Sequence, residues 1–134
     1  MTSAASLKTR FEHANPILSV RSMPDSLAYY RDVLGFQNAA WGSDSFTAVT
    51  RDGACIYLCQ GEQGAPGTWV WVGVEDVASL YAEYRAAGAR IRGAPVNHSW
   101  AYEMQVEDPD GHVLRFGSEP RADLPIATQG EGAV

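Results

Sequence analysis

The sequence predicts an α+β fold of two tandem βαβββ modules whose curved mixed sheets form a shared cleft. Three observations carry this. Two segments, ILSVRSMPDSLAYYRDVLGF (17–36) and WVGVEDVASLYAEYRAAGARI (71–91), each run from an alternating apolar stretch through a polar cap into an amphipathic helix. Each is followed by a pair of strand patterns around an Asp-Gly, Asp52-Gly53 and Asp110-Gly111, a pairing that tight hairpin turns favour. The chain has 134 residues, 46% apolar and 19% charged, enough for one core shared by two small modules.

Alternation then assigns faces along the chain. In the first strand Pro16, Leu18 and Val20 are expected beneath the helix, with Asn15, Ile17 and Ser19 toward the cleft. Ser22 can cap the helix and Gly35 can end it. A strand is expected near residues 36–41, followed by the hairpin SFTAVT-RDG-ACIYLC, in which Cys55, Tyr57 and Cys59 oppose Ala54, Ile56 and Leu58. The loop GEQGAPG (61–67) is too short for a flexible linker. In the second module Val70, Val72 and Val74 are expected under the helix, with Trp69, Trp71 and Gly73 toward the cleft. Asp76 caps the helix, Gly88 ends it, and a strand is expected near 89–93. In YEMQVEDPDGHVLRFG, Met104, Val106, Leu114 and Phe116 go to the core; Glu103, Gln105, Val113, Arg115 and Gly117 face the cleft.

The repeat aligns Val20 with Val74 and Ser22 with Asp76. With one residue dropped, Ser26-Leu27 then falls on Ser79-Leu80, and Tyr30-Arg31 lies near Tyr84-Arg85. The boundaries are an N-terminal arm at 1–12, a first module at 13–60, the loop at 61–67, a second module at 68–117 and a tail at 118–134. The tail shows no clear period and is expected to be an extended arm or disordered.

Composition narrows the function classes. The net charge of −6 without a basic run argues against nucleic acid. No apolar run is long enough to span a membrane, and MTSAASLKTR lacks an apolar leader core, so a cytoplasmic protein is expected. Cys55 and Cys59 share a strand face at roughly 13 Å, too far apart to pair with each other, and read as free thiols. There is no nucleophile elbow, no Cys with a His partner and no phosphate loop.

The paired modules, the segment SMPDSLAYYRDVLGF and the stretch DPDGHVLRFG resemble the glyoxalase/bleomycin-resistance/extradiol-dioxygenase group, the vicinal oxygen chelate superfamily, over about residues 13–117. Metal-dependent members hold a divalent metal with His, Glu or Gln on the first and last strands of the modules. Carried over by position, those ligands fall at Asn15, Tyr57, Trp69 and Arg115, none of them a good ligand, and Arg is a fixed cation. His13, two residues before Asn15 and on the same face, is the remaining metal candidate. His98 and His112 read as surface residues.

The resemblance then implies the metal-free, bleomycin-resistance-like members, which are homodimers with aromatic-lined clefts that bind ligands without transforming them. The expectation is a metal-independent binding protein with no cofactor, which sequesters an aromatic ligand that can be cationic. Trp69 and Trp71 would stack on it, Trp41 and Trp100 could rim the cleft, and Asn15, Tyr57, Glu103 and Arg115 would set polarity. The tryptophans could instead plug a core or a dimer interface, and Arg115 could pair internally with Glu103. The alternative is an enzyme: a lyase, isomerase or dioxygenase with an off-pattern metal site at His13 and Glu103, or a metal-free acid/base catalyst using Arg115 with Glu103 or Tyr57.

Overall fold

Ser22 and Asp76 each sit in extended backbone just before a helix, and each side chain accepts a hydrogen bond from the amide three residues on. Gly35 and Gly88 end the helical segments in left-handed backbone, with φ of 78° and 80°. These local signals divide the chain. In the computed structural model, which describes residues 8–127, they give the order β1 (Ile17–Ser19), α1 (Met23–Ala28), β2 (Gln37–Asn38), β3 (Phe46–Arg51) and β4 (Ala54–Cys59). The second half continues with β5 (Trp69–Gly73), α2 (Val77–Ala87), β6 (Arg90–Ile91), β7 (Val96–Asn97), β8 (Tyr102–Glu107) and β9 (Val113–Ser118). Residues 1–7 of the expected arm and 128–134 of the expected tail lie outside the described residues.

Two mixed sheets result, β1-β4-β3-β2 and β5-β9-β8-β6, with β7 also on β8. The first strand of each module runs parallel to the last, placing Ile17 beside Tyr57 and Trp71 beside Arg115. The βαβββ repeat therefore holds, with one elaboration. The strand expected near 89–93 forms as β6, and β7 is added after it; both are antiparallel to β8.

The hairpins differ from each other. Arg51 pairs directly with Ala54, so Asp52-Gly53 makes a two-residue turn with Asp52 at φ 50°. The second turn is longer. There the buried carboxylate of Asp108 accepts from the amides of Asp110 and His112, and the Asp108 amide donates to the His112 carbonyl.

The helices correct the alignment read from the repeat. Met23 and Val77, Ser26 and Leu80, and Tyr30 and Tyr84 are all buried and share one constant offset, which also relates Ser22 to Asp76. Ser26 is thus the counterpart of Leu80, not of Ser79. The first helix continues into a π turn, Tyr29–Val33, where the Leu34 amide donates to the Tyr29 carbonyl. This turn absorbs the extra residue just before Gly35.

Leu18, Val20, Ile56, Leu58, Val72, Met104, Val106, Leu114 and Phe116 form one core with both helices. The modules are tied through it. Tyr84 donates its hydroxyl to the Leu34 carbonyl, and Tyr29 and Tyr30 reach Glu107 and Asp108 of the second module. His112, expected at the surface, is fully buried between the modules. Its Nδ1 accepts from the Thr68 amide and its Nε2 lies 2.6 Å from the Ser19 carbonyl, an arrangement that suits the neutral ring protonated on Nε2.

The expected tail has a buried clamp. Asn97 donates through Nδ2 to the carbonyls of Arg121, Leu124 and Pro125 and accepts from the Arg121 amide. The Ala127 amide donates to the Asn97 carbonyl, so the segment through 127 lies against β7.

Candidate functional site

With the core on one side of each sheet, the alternate side chains are left on the open faces. On the first sheet Tyr57 packs edge-on against Trp41 and Phe46, with ring centroids 5.5 and 5.6 Å away, and Trp41 stacks on Phe46. On the second sheet the Glu103 carboxylate accepts from Trp71 Nε1 at 2.8 Å and from the Arg115 guanidinium at 2.7 Å. The side chain of Glu103 is only 4% exposed. Burial alone would push its carboxyl up; the hydrogen bonds from Arg115 and Trp71 and the charge of Arg115 outweigh this and hold it below the ordinary carboxylate range. His98, also buried rather than at the surface, brings Nε2 to 3.9 Å from Glu103.

The tryptophans remain open. Trp41, Trp69, Trp71 and Trp100 are 50, 45, 54 and 60% exposed. Each has one face backed. Phe46 stacks on Trp41, Arg92 lies over Trp69 at 5.3 Å, and His98 stacks on Trp100 at 4.3 Å and 6°. Trp71 lies against Gly73 and Gly117, the strand neighbours that share its face.

A groove of about 1100 Å³ runs between the modules. Of the residues expected to bind ligand, it takes in Asn15, Trp71 and Trp100. Tyr57, Trp69, Glu103 and Arg115 lie on the open faces outside its lining, with Glu103 and Arg115 joined to it through Trp71. The wall also carries Asp52, Glu75, Asp76, Glu83 and Glu119, against one arginine, Arg51, which is bound to Glu83. Sequence reading missed these carboxylates because they come from a turn, loops and the α2 helix, on both modules. It missed the buried role of His98 too, although the spacing His98-Ser99-Trp100 was visible.

The four positions equivalent to the family's metal ligands do not fit a divalent metal. Asn15 is committed at both ends, accepting from His13 Nδ1 at 2.6 Å and donating to the Cys55 carbonyl. Arg115 brings a fixed positive charge, and the rings of Tyr57 and Trp69 offer no strong donor. Among the described residues no three His, Cys, Asp or Glu side chains are grouped to hold a metal. Cys55 and Cys59 are free thiols, and no helix is long and apolar enough to cross a membrane.

Solved structures share this fold. A bleomycin-binding protein from bleomycin-producing Streptomyces verticillus, complexed with copper(II)-bleomycin, matches with a TM-score of 0.72 at 22% identity, over 85% of this chain and 100% of that one. A bleomycin resistance determinant encoded on the transposon Tn5 matches at 0.71 and 21%, over 81% and 98%. TioX from Micromonospora sp. ML1 matches at 0.69 and 22%, over 81% and 99%. Identities this low carry the fold alone. No curated protein sequence matches the chain. The model of the Glyoxalase/Bleomycin resistance protein/Dioxygenase superfamily matches residues 10–116, nearly the whole of both modules. The chain belongs to the glyoxalase/bleomycin resistance protein/dioxygenase superfamily.

Proposed function

We propose that this protein is a metal-independent small-molecule binder that sequesters an aromatic, cationic compound in the groove between its modules, as a cytoplasmic homodimer. The observation that carries the reading is the groove itself: it is lined by the exposed indoles of Trp71 and Trp100 and by Asp52, Glu75 and Glu119, carboxylates with no ion pair among the described residues. Indole faces attract flat cationic rings, and a carboxylate wall raises their local concentration. Asn15 lines the same groove, Trp69 and Tyr57 would add aromatic surface on the open sheet faces outside it, and Arg115 serves by neutralising Glu103. A second copy of the chain would cover the open sheet faces and close the site. The solved bleomycin-binding structures support a ligand-binding role on this fold.

The acid/base alternative has an observation against it. Glu103 is held ionised by two hydrogen bonds, so it is poorly placed to give or take a proton at neutral pH.

The test is metal analysis of protein purified without chelator or affinity tag, repeated after incubation with Mn, Fe, Ni and Zn, followed by tryptophan-fluorescence titration with bleomycin and, separately, with planar cations. The expected result is metal-free protein that shows saturable quenching. A stoichiometric metal that survives dialysis would overturn the proposal, and His13 would be the first residue to mutate.

A further inference from the structure

The indole of Trp71 lies flat on its sheet, and the sheet is shaped to receive it. A Cβ added at Gly117 would come within 2.6 Å of Trp71 Cζ2 and 3.0 Å of Cε2. One added at Gly73 would come within 3.0 Å of Cζ3. Neither glycine has a positive φ, so backbone conformation does not require glycine at either position. What requires it is the ring. Any larger residue at 117 would lift or tilt the indole, and the flat pose is pinned at its polar edge by the charge-assisted bond from Nε1 to Glu103, itself held by Arg115. One indole face is thereby given to the two glycines, while the residue lines the groove and stays 54% exposed.

We infer that Gly73 and Gly117 are positioning residues, which with Glu103 hold Trp71 as a pre-ordered stacking platform for a planar, electron-poor or cationic ring. The inference rests on the ligand-binding reading above and adds the device that makes it work. A platform already fixed spares the ligand the entropic cost of ordering the indole. A carboxylate accepting the indole N–H also pushes electron density toward the ring, which strengthens attraction to a positive partner. Glu103 and Arg115 neutralise one another at the polar edge of the platform, so no uncompensated cation there repels such a ring.

The test uses the full chain with two probes of matched ring size, 10-methylacridinium and 9-anthracenecarboxylate, followed by tryptophan quenching. The Trp71 indole N–H is followed by NMR and assigned with Trp71→Phe. Wild type is expected to bind the cation saturably and the anion at least tenfold more weakly. Gly117→Ala should shift the indole N–H and weaken cation binding at least tenfold. Gly73→Ala, on an exposed edge strand, preserves the fold if Gly117→Ala does not, and should weaken binding about threefold with a smaller N–H shift. Cation binding in both glycine variants equal to wild type, with the N–H unmoved, would overturn the positioning role. Anion binding as tight as cation binding would overturn the ligand class. Wild-type protein that binds neither probe would bring down the ligand-binding reading itself.

Discussion

The two open faces arise from the same pattern of strands and end in opposite chemistry. On the first sheet Ile17 neighbours Tyr57, and Tyr57 closes a neutral aromatic group with Trp41 and Phe46. On the second, the equivalent neighbours are Trp71 and Arg115, bound together through a buried carboxylate. Beneath them the modules hardly differ: Leu18 and Val72, Ile56 and Leu114, and Leu58 and Phe116 fill matching core positions. The strand side of the core takes apolar groups at these matching positions, so it keeps the repeat visible. The faces carry no such restraint, and there the modules have diverged into an uncharged half and an electrostatically organised half.

The largest expected effect breaks that second half. Arg115→Ala leaves the Glu103 carboxylate almost fully buried with the Trp71 N–H as its remaining close donor. Urea unfolding at pH 7 should show a loss of about 3 kcal/mol, the usual cost of stranding a buried charge. Replacing both partners, Glu103→Met with Arg115→Met, should recover most of it, to within about 1 kcal/mol of wild type. If single and double variants are equally unstable, the pair is not the organising feature of this face.

The next effect concerns a part of the second module with no counterpart in the first. Asn97 sits on β7 and holds three carbonyls and one amide of the segment after β9. Asn97→Ala should cost about 2 kcal/mol, since several buried backbone groups lose their partner at once. Amide exchange should rise selectively at residues 121 and 127, and unchanged protection there would show that the clamp is not what holds the segment.

pH separates two buried carboxyls with opposite signs. Glu103 has a lowered folded value, so its stabilisation is complete above the ordinary carboxylate range and is lost as pH falls through that lowered value. Asp108 is raised by burial, so its charged form costs stability at neutral pH, and this cost is relieved as pH falls through the raised value. Asp108→Asn removes that relief. The variant should lose stability on acidification more steeply than wild type as pH falls through the raised Asp108 value. Parallel stability curves would mean that Asp108 does not titrate there.

The smallest effect probes the neutral face. Tyr57→Phe keeps the edge-on aromatic contacts and removes a hydroxyl that has no hydrogen-bond partner among the described residues. Thermal unfolding should change by less than about 0.5 kcal/mol. A larger loss would reveal a polar role for the first sheet and blur the contrast between the halves.

Much of the fold was legible because its signals are local. Alternation in WVWVG and VLRFG sorted core from face, and Ser22, Asp76, Gly35 and Gly88 marked helix ends within a few residues of where they act. The possible pairing of Glu103 with Arg115 was also readable, since two antiparallel strands around a short turn bring same-face residues together. The π turn was not, because an extra residue can be absorbed anywhere along a helix and only packing of Tyr30 against the second module selects the place. His112 read as a surface residue and Asn97 carried no local signal, yet each is buried by segments distant in sequence.

The sequence by itself therefore determined the two modules, the side of each strand that meets the core and the residues displayed on the other side, since period and turn chemistry are properties of neighbouring residues. Tertiary structure alone decided which displayed residues from separate hairpins and modules meet. It set Trp71 on two glycines, gathered carboxylates from both modules along one groove and left Tyr57 on a separate face. Those outcomes depend on how two sheets share one core, and that docking is fixed by contacts between residues far apart in the chain.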